Sequence, residues 1–211
     1  MTDDGFSLIE LMVALLVLAI LLAIAIPTFL GTTTTADNRS AQSNLSTALT
    51  DAKAQFQTDG QTYFVNGSQD SAGFAALLTG AQLSLTFHAG SAGTSTTQGS
   101  SGNMSTVSVA VSSDGSGLVL GAFSVPGNCF YVVDVAGTMT TAAKGVAPFA
   151  GTTAVTTSAT TASGTIGLPS AAGTSYVEVK GDTTASDCNA YSPKASGSGA
   201  TVQYLTSGFP N

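Results

Sequence analysis

Residues 6–30 read FSLIELMVALLVLAILLAIAIPTFL, a run with one ionisable side chain, Glu10, and only Ser7, Pro27 and Thr28 besides it outside the apolar set. As a helix it would extend roughly 37 Å at about 1.5 Å per residue, against about 30 Å for the hydrocarbon core of a bilayer. Everything downstream must therefore be arranged around an element that water does not accept. The preceding residues, Met1 to Gly5, carry Asp3 and Asp4 in place of Lys or Arg, so the basic region of an ordinary secretory signal is missing. A carboxylate in a spanning helix costs on the order of 3 kcal/mol at the bilayer centre and less near the ends, so Glu10 calls for a partner. No Lys or Arg lies in the segment. A cut after Gly5 would place an ammonium on Phe6, four residues before Glu10.

Composition narrows the function classes. Of 211 residues only 8% are charged, against about 25% in an average soluble chain, while 43% are hydrophobic, which excludes a charge-extended disordered protein. Arg39, Lys53, Lys144, Lys180 and Lys194 are scattered singly against twelve acidic residues, so no patch exists to collect phosphates and direct nucleic-acid binding is not expected. His88 is the only histidine, Trp is absent, and the two cysteines are far apart. The expectation is a chain with no enzymatic role, no cofactor and no metal site. The 26 Ser, 31 Thr and 24 Gly suit a neutral, small-residue, extracellular surface.

The N-terminal residues carry a resemblance. Gly5-Phe6-Ser7-Leu8-Ile9-Glu10, an unbroken apolar run, and then Ala25-Ile26-Pro27 resemble the processing and assembly motif of type IV prepilins. The resemblance implies a leader of residues 1–5, cleavage between Gly5 and Phe6 by a prepilin peptidase, and N-methylation of Phe6. It also implies that Glu10 pairs with such an amine during filament assembly, and that the helix kinks or unwinds near Pro27 in the fibre. It covers roughly the first sixty residues, and the rest looks most similar to short pilins of Gram-positive bacteria. MTDDG departs from the family in lacking a basic residue, so either the true start lies upstream or orientation relies on the assembly machinery. A plain signal peptide cut after Ala25 is disfavoured by Pro27 and by the missing basic flank.

Beyond the apolar run, Thr32 to Thr35 read as a loosened turn or flexible neck. Helical signals then resume, with Asp37 or Ser40 able to cap and Ala41, Leu45, Ala48, Leu49, Ala52 and Phe56 forming one stripe that ends at Gly60. Residues 6–30 thus read as the membrane or filament-core half of one long helix and 31–60 as its amphipathic half. Pro27 removes one backbone hydrogen bond and bends the helix. Residues 61–211 read as a head. Residues 61–104 are mostly loop, with a short helix at Phe74 to Leu78 and an apolar stretch from Leu83 to Phe87. From Val107 the period changes to two, and turns at Asp114-Gly115 and Pro126-Gly127 give a three-stranded antiparallel meander through Val133. Strands follow at 176–180 and 201–205. The fold class is α+β, pilin-like, a long hydrophobic N-terminal helix packed on an antiparallel sheet.

Residues 137–175 are rich in Thr, Ala, Ser and Gly, with Thr-Thr pairs at 140, 152, 156 and 160, and read as a surface loop in preference to a glycosylated one. In an exported protein Cys129 and Cys188 predict a disulfide around that segment, stabilising by roughly 4 kcal/mol in the chain-entropy model. The placement resembles the disulfide-bounded C-terminal loop of many pilins; two free redox thiols are the alternative. Asp182, Asp187 and Asn189 lack the spacing of a calcium loop. The Asn-x-Ser triplets at Asn38, Asn44, Asn66 and Asn103 carry no assigned function.

The reading is a structural subunit of a type IV pilus, held in the cytoplasmic membrane as a single-pass precursor and then displayed in an extracellular homopolymer. Its partners are other pilin subunits, the peptidase and the assembly machinery. The alternatives are a minor pilin, a pseudopilin of a type II-like secretion system, or a membrane-anchored surface binding module.

Overall fold

The computed structural model describes residues 5, 7–90, 105–139, 160–161, 164–181, 185–195, 200–205 and 207–209. The chain divides into two compact units, residues 1–36 and 37–211, and helix α1 (Leu8–Thr58) contributes to both. In the first unit α1 runs through Pro27, and the stretch expected as a loosened turn at Thr32 to Thr35 is helical instead. The hydroxyls explain this. Thr32, Thr33 and Thr34 donate to the carbonyls of Phe29, Leu30 and Gly31 at 2.8, 2.9 and 2.9 Å, and Thr35 donates to Gly31 at 3.2 Å. Satisfied inside the helix, they do not compete with it, and extending a formed helix fixes few further dihedrals per bond gained.

The second unit is built on the expected stripe. Ala41, Leu45, Ala48, Leu49, Ala52 and Phe56 are buried, together with the polar Gln42. They pack on strands β2 (Thr106–Val111), β3 (Gly117–Ser124) and β4 (Asn128–Val135) through Val107, Val109, Val111, Leu118, Leu120, Ala122, Phe130 and Val132. These are alternate strand positions, as a half-buried pleat requires. The expected antiparallel meander is present, with Leu120 opposite Val109 on one side and Val132 on the other. Gly115 and Gly127, at φ +70° and +90°, supply the left-handed turn positions.

Three features differ from the sequence reading. Helix α2 spans Ser71–Ala81, well beyond Phe74 to Leu78, because Asp70 caps it by accepting from the N–H groups of Ala72 and Gly73. Strand β1 (Thr86–Ala89) joins β2 in parallel, so the sheet is mostly antiparallel; α2 lies close to both β1 and β2. The third difference is the sheet's size. Strands β5 (Thr160–Thr161), β7 (Gly173–Lys180) and β9 (Thr201–Leu205) extend the order to β1-β2-β3-β4-β7-β9-β5, while β6 (Gly164–Thr165) and β8 (Lys194–Ala195) form a separate pair. The Thr-Thr pair at 160 is thus a strand; those at 140, 152 and 156 lie outside the described residues.

The sheet is also buried on its other face. Val119, Tyr131, Val133, Val177, Val179 and Val202 pack there beneath Ile166, Leu168, Cys188, Ala190 and Ala200. Tyr131 donates its hydroxyl to the Asp187 carbonyl at 2.8 Å, and the Ala190 N–H donates to Ser108 Oγ at 2.9 Å. A Cβ on Gly90 would lie 2.6 Å from the Tyr191 nitrogen, so only glycine permits this approach.

Candidate functional site

Within the first unit the chemistry sits at the start of α1. Ser7 and Glu10 close a capping box: the Ser7 N–H donates to Glu10 Oε2 at 3.0 Å, and the Glu10 N–H donates to Ser7 Oγ at 3.3 Å. This gives Glu10 a local partner that the sequence reading missed, although the S-x-x-E spacing before an apolar run is its signal. Gly5 is exposed. Phe6, expected as the first mature residue and the methylated amine, lies outside the described residues, as do Met1 to Asp4.

Behind the box the helix is bare. The sixteen large apolar side chains from Leu8 to Leu30 are each between 50% and 77% exposed. At about 1.5–3 kcal/mol per buried large side chain, removing them from water is worth tens of kcal/mol. The segment is long and apolar enough to cross a membrane by length and composition. Pro27 lies in its C-terminal part, where Thr28 donates to the Ala25 carbonyl at 2.9 Å.

In the second unit the notable chemistry is a polar clamp around the buried Asp134. Asp134, on the helix-facing side of β4, accepts from the Tyr63 hydroxyl at 2.6 Å, from the Thr174 hydroxyl, and from Lys53 of α1 at 3.0 Å. Burial first, and then the Asp134 carboxylate, push the Tyr63 hydroxyl far above the usual tyrosine range, so it stays a donor. The clamp borders a groove of about 390 Å³, but its polar groups already engage one another. Glu178 on β7 is buried and lies 3.4 Å from Lys180 Nζ. Desolvation raises its pKa, with Lys180 and then Arg39 acting in the opposite direction.

Cys129 and Cys188 form a disulfide, with Cα atoms 5.3 Å apart and both residues fully buried. His88 is exposed on β1. Asp182 lies outside the described residues, while Asn189 Oδ1 accepts from the Tyr191 N–H at 2.8 Å. Among the described residues no three His, Cys, Asp or Glu side chains gather as a metal site. Of the Asn-x-Ser triplets, Asn38 binds Ser124 and Asn128, Asn44 lies within α1, Asn66 sits in an exposed turn, and Asn103 lies outside the described residues.

Residues 1–26 match the model of the prokaryotic N-terminal methylation motif. The match supports a type IV pilin-like or pseudopilin-like role and implies a prepilin peptidase and other pilins as partners. With the apolar helix it fits a membrane-anchored precursor that is later surface-exposed. No curated protein and no solved structure matches the chain, so the narrower likeness to Gram-positive pilins gains no support.

Proposed function

We propose that this chain is a structural subunit of a type IV pilus filament, cleaved after Gly5, N-methylated at Phe6, and without enzymatic activity. One coincidence carries the reading: the matched motif, residues 1–26, falls on the segment whose large apolar side chains are exposed. Lipid covers them in the single-pass precursor, and the same segment of neighbouring subunits covers them in the extracellular fibre. Cleavage creates the cation that Glu10 lacks. A neighbour's Phe6 ammonium against Glu10 desolvates both charges, so the pair contributes more to axial register than to net stability.

The deciding experiment is intact mass and N-terminal sequencing of the protein from cells that express it natively, together with imaging of their surface fibres. A mature chain starting at N-methylated Phe6 is expected. A chain starting at Met1 or Ile26 removes the filament reading and leaves a membrane-anchored binding module. Fibres composed mainly of this chain identify the major subunit; correct processing with only trace incorporation identifies a minor pilin or a pseudopilin.

A further inference from the structure

Between the end of α1 and the start of α2 the chain makes a tight reversal, Val65-Asn66-Gly67-Ser68, with Asn66 at φ +52° and Gly67 at φ +76°. Positive φ at both central positions is what an Asn-Gly turn of this kind requires. Two backbone bonds close it, Val65 N–H to the Ser68 carbonyl at 3.2 Å and Ser68 N–H to the Val65 carbonyl at 3.1 Å. Its flanks are tied to the sheet, Tyr63 N–H to the Gly115 carbonyl at 2.9 Å and Gln69 Nε2 to the Val111 carbonyl at 2.8 Å. The tip itself is unencumbered. Asn66 and Gly67 are exposed, the Asn66 side-chain amide and the Gly67 N–H have no hydrogen-bond partner among the described residues, and beyond Asn66 and Ser68 no described residue lies within 4 Å of where a Gly67 Cβ would be.

From this arrangement we infer that Asn66 is a site of spontaneous covalent modification, deamidation through a cyclic imide. The Gly67 backbone nitrogen attacks Cγ of the Asn66 side chain. The N–Cγ bond forms, the Cγ–Nδ2 bond breaks, and Nδ2 leaves as ammonia with the proton from the Gly67 nitrogen. Water then opens the ring at either carbonyl, giving aspartate or the β-linked isoaspartate, with no oxidant or further co-reactant. Glycine is the least hindered residue to supply the attacking nitrogen, and Asn66-Gly67 is the one Asn-Gly pair in the sequence.

Three other asparagines among the described residues are held. Asn38 Oδ1 accepts from Ser124 and Asn128, Asn128 Oδ1 accepts from the Gly181 N–H, and Asn189 Oδ1 accepts from the Tyr191 N–H. Because the flanks are anchored, the reaction stays local. Each converted chain becomes one unit more negative than its formal −7, and the isoaspartate form carries an extra backbone atom where Val65 and Ser68 pair. The inference does not depend on the filament reading.

The test incubates the full-length chain in detergent micelles in mildly alkaline buffer at physiological temperature, with peptide mapping and enzymatic isoaspartate labelling over time. Asn66 is expected to convert at least an order of magnitude faster than any other asparagine, at a rate close to that of the same peptide free in solution. Gly67→Ala should slow conversion by an order of magnitude. Because alanine is strained at positive φ, Gly67→Asp, which tolerates that backbone region better, should slow it with the turn retained. An Asn66 that stays intact in the folded chain while the free peptide converts overturns the inference. So does a native chain carrying a glycan on Asn66, since the amide is then already engaged.

Discussion

Glu10 has two claims on its carboxylate, and they are separable by chemistry. As the last member of a capping box it needs only a hydrogen-bond acceptor, which glutamine supplies equally well. As the counter-ion proposed for a neighbour's amine it would need its charge. Glu10→Gln should therefore leave α1 and cleavage intact while sharply lowering fibre yield. Ser7→Ala should weaken the helix start by about 0.5–2 kcal/mol and leave fibre yield near wild type. Equal fibre yields from wild type and Glu10→Gln would remove the assembly role. Glu178 offers a second residue-scale test. Its folded pKa is raised, chiefly by desolvation, so the native state holds this proton more tightly than the unfolded chain. Its contribution favours folding below the ordinary glutamate range and is lost as pH rises toward the folded pKa. Glu178→Gln should raise the thermal midpoint at neutral pH, and the gain should vanish in acid; an equal gain at both pH values argues against a buried charge as the cause. In the sequence, Glu178 was simply one polar position in a strand. Lys180 stands two positions along the same strand, so that pair is readable by spacing; the burial that raises Glu178, and the ties of Asp134 to Tyr63 and Lys53, come from packing, which spacing along one strand does not record.

Elements were legible in proportion to their periodicity. The six-residue stripe of α1 and the valine alternation of β2, β3 and β4 fold as their patterns require, because each pattern fills one face of one core. Strand partners were less accessible: alternation fixes the face of a strand and not its neighbour, so nothing in Leu83 to Phe87 announced a parallel pairing with β2. The cover over the second face was invisible for another reason. It is assembled from Ile166, Leu168, Ala190 and Ala200, small or isolated apolar residues with no shared period, and is held by the disulfide. Replacing both cysteines by serine should lower stability by roughly 2–5 kcal/mol. Hydrogen exchange should localise the change, with the Ala190 amide, bonded to Ser108, exchanging faster while the amides between β3 and β4 keep their protection. Uniform loss of protection would show that the cover is integral to the whole sheet.

At the scale of the molecule the chain joins two solvents. Residues 8–30 present an apolar surface, whereas the described residues of the second unit fold around two internal cores and keep charge sparse. The first was plain in the sequence because a membrane-length run tolerates few interruptions; the second was plain only as a class. The central strand β4 deserves to be considered as a mechanical part. Asp134 near one end ties it through Lys53 to α1, and Cys129 at the other end ties it covalently to Cys188. The cysteines are 59 positions apart. At about 3.4 Å per extended residue the bond withholds on the order of 200 Å of contour from any forced elongation of the chain. Tension entering through the amphipathic part of α1 reaches β4 through the Lys53–Asp134 pair and the core they share, and the segment between the two sulfurs cannot pay out. The staple thus works as a strain limiter: it caps how far a pulled head can lengthen, whatever becomes of the hydrogen bonds inside it.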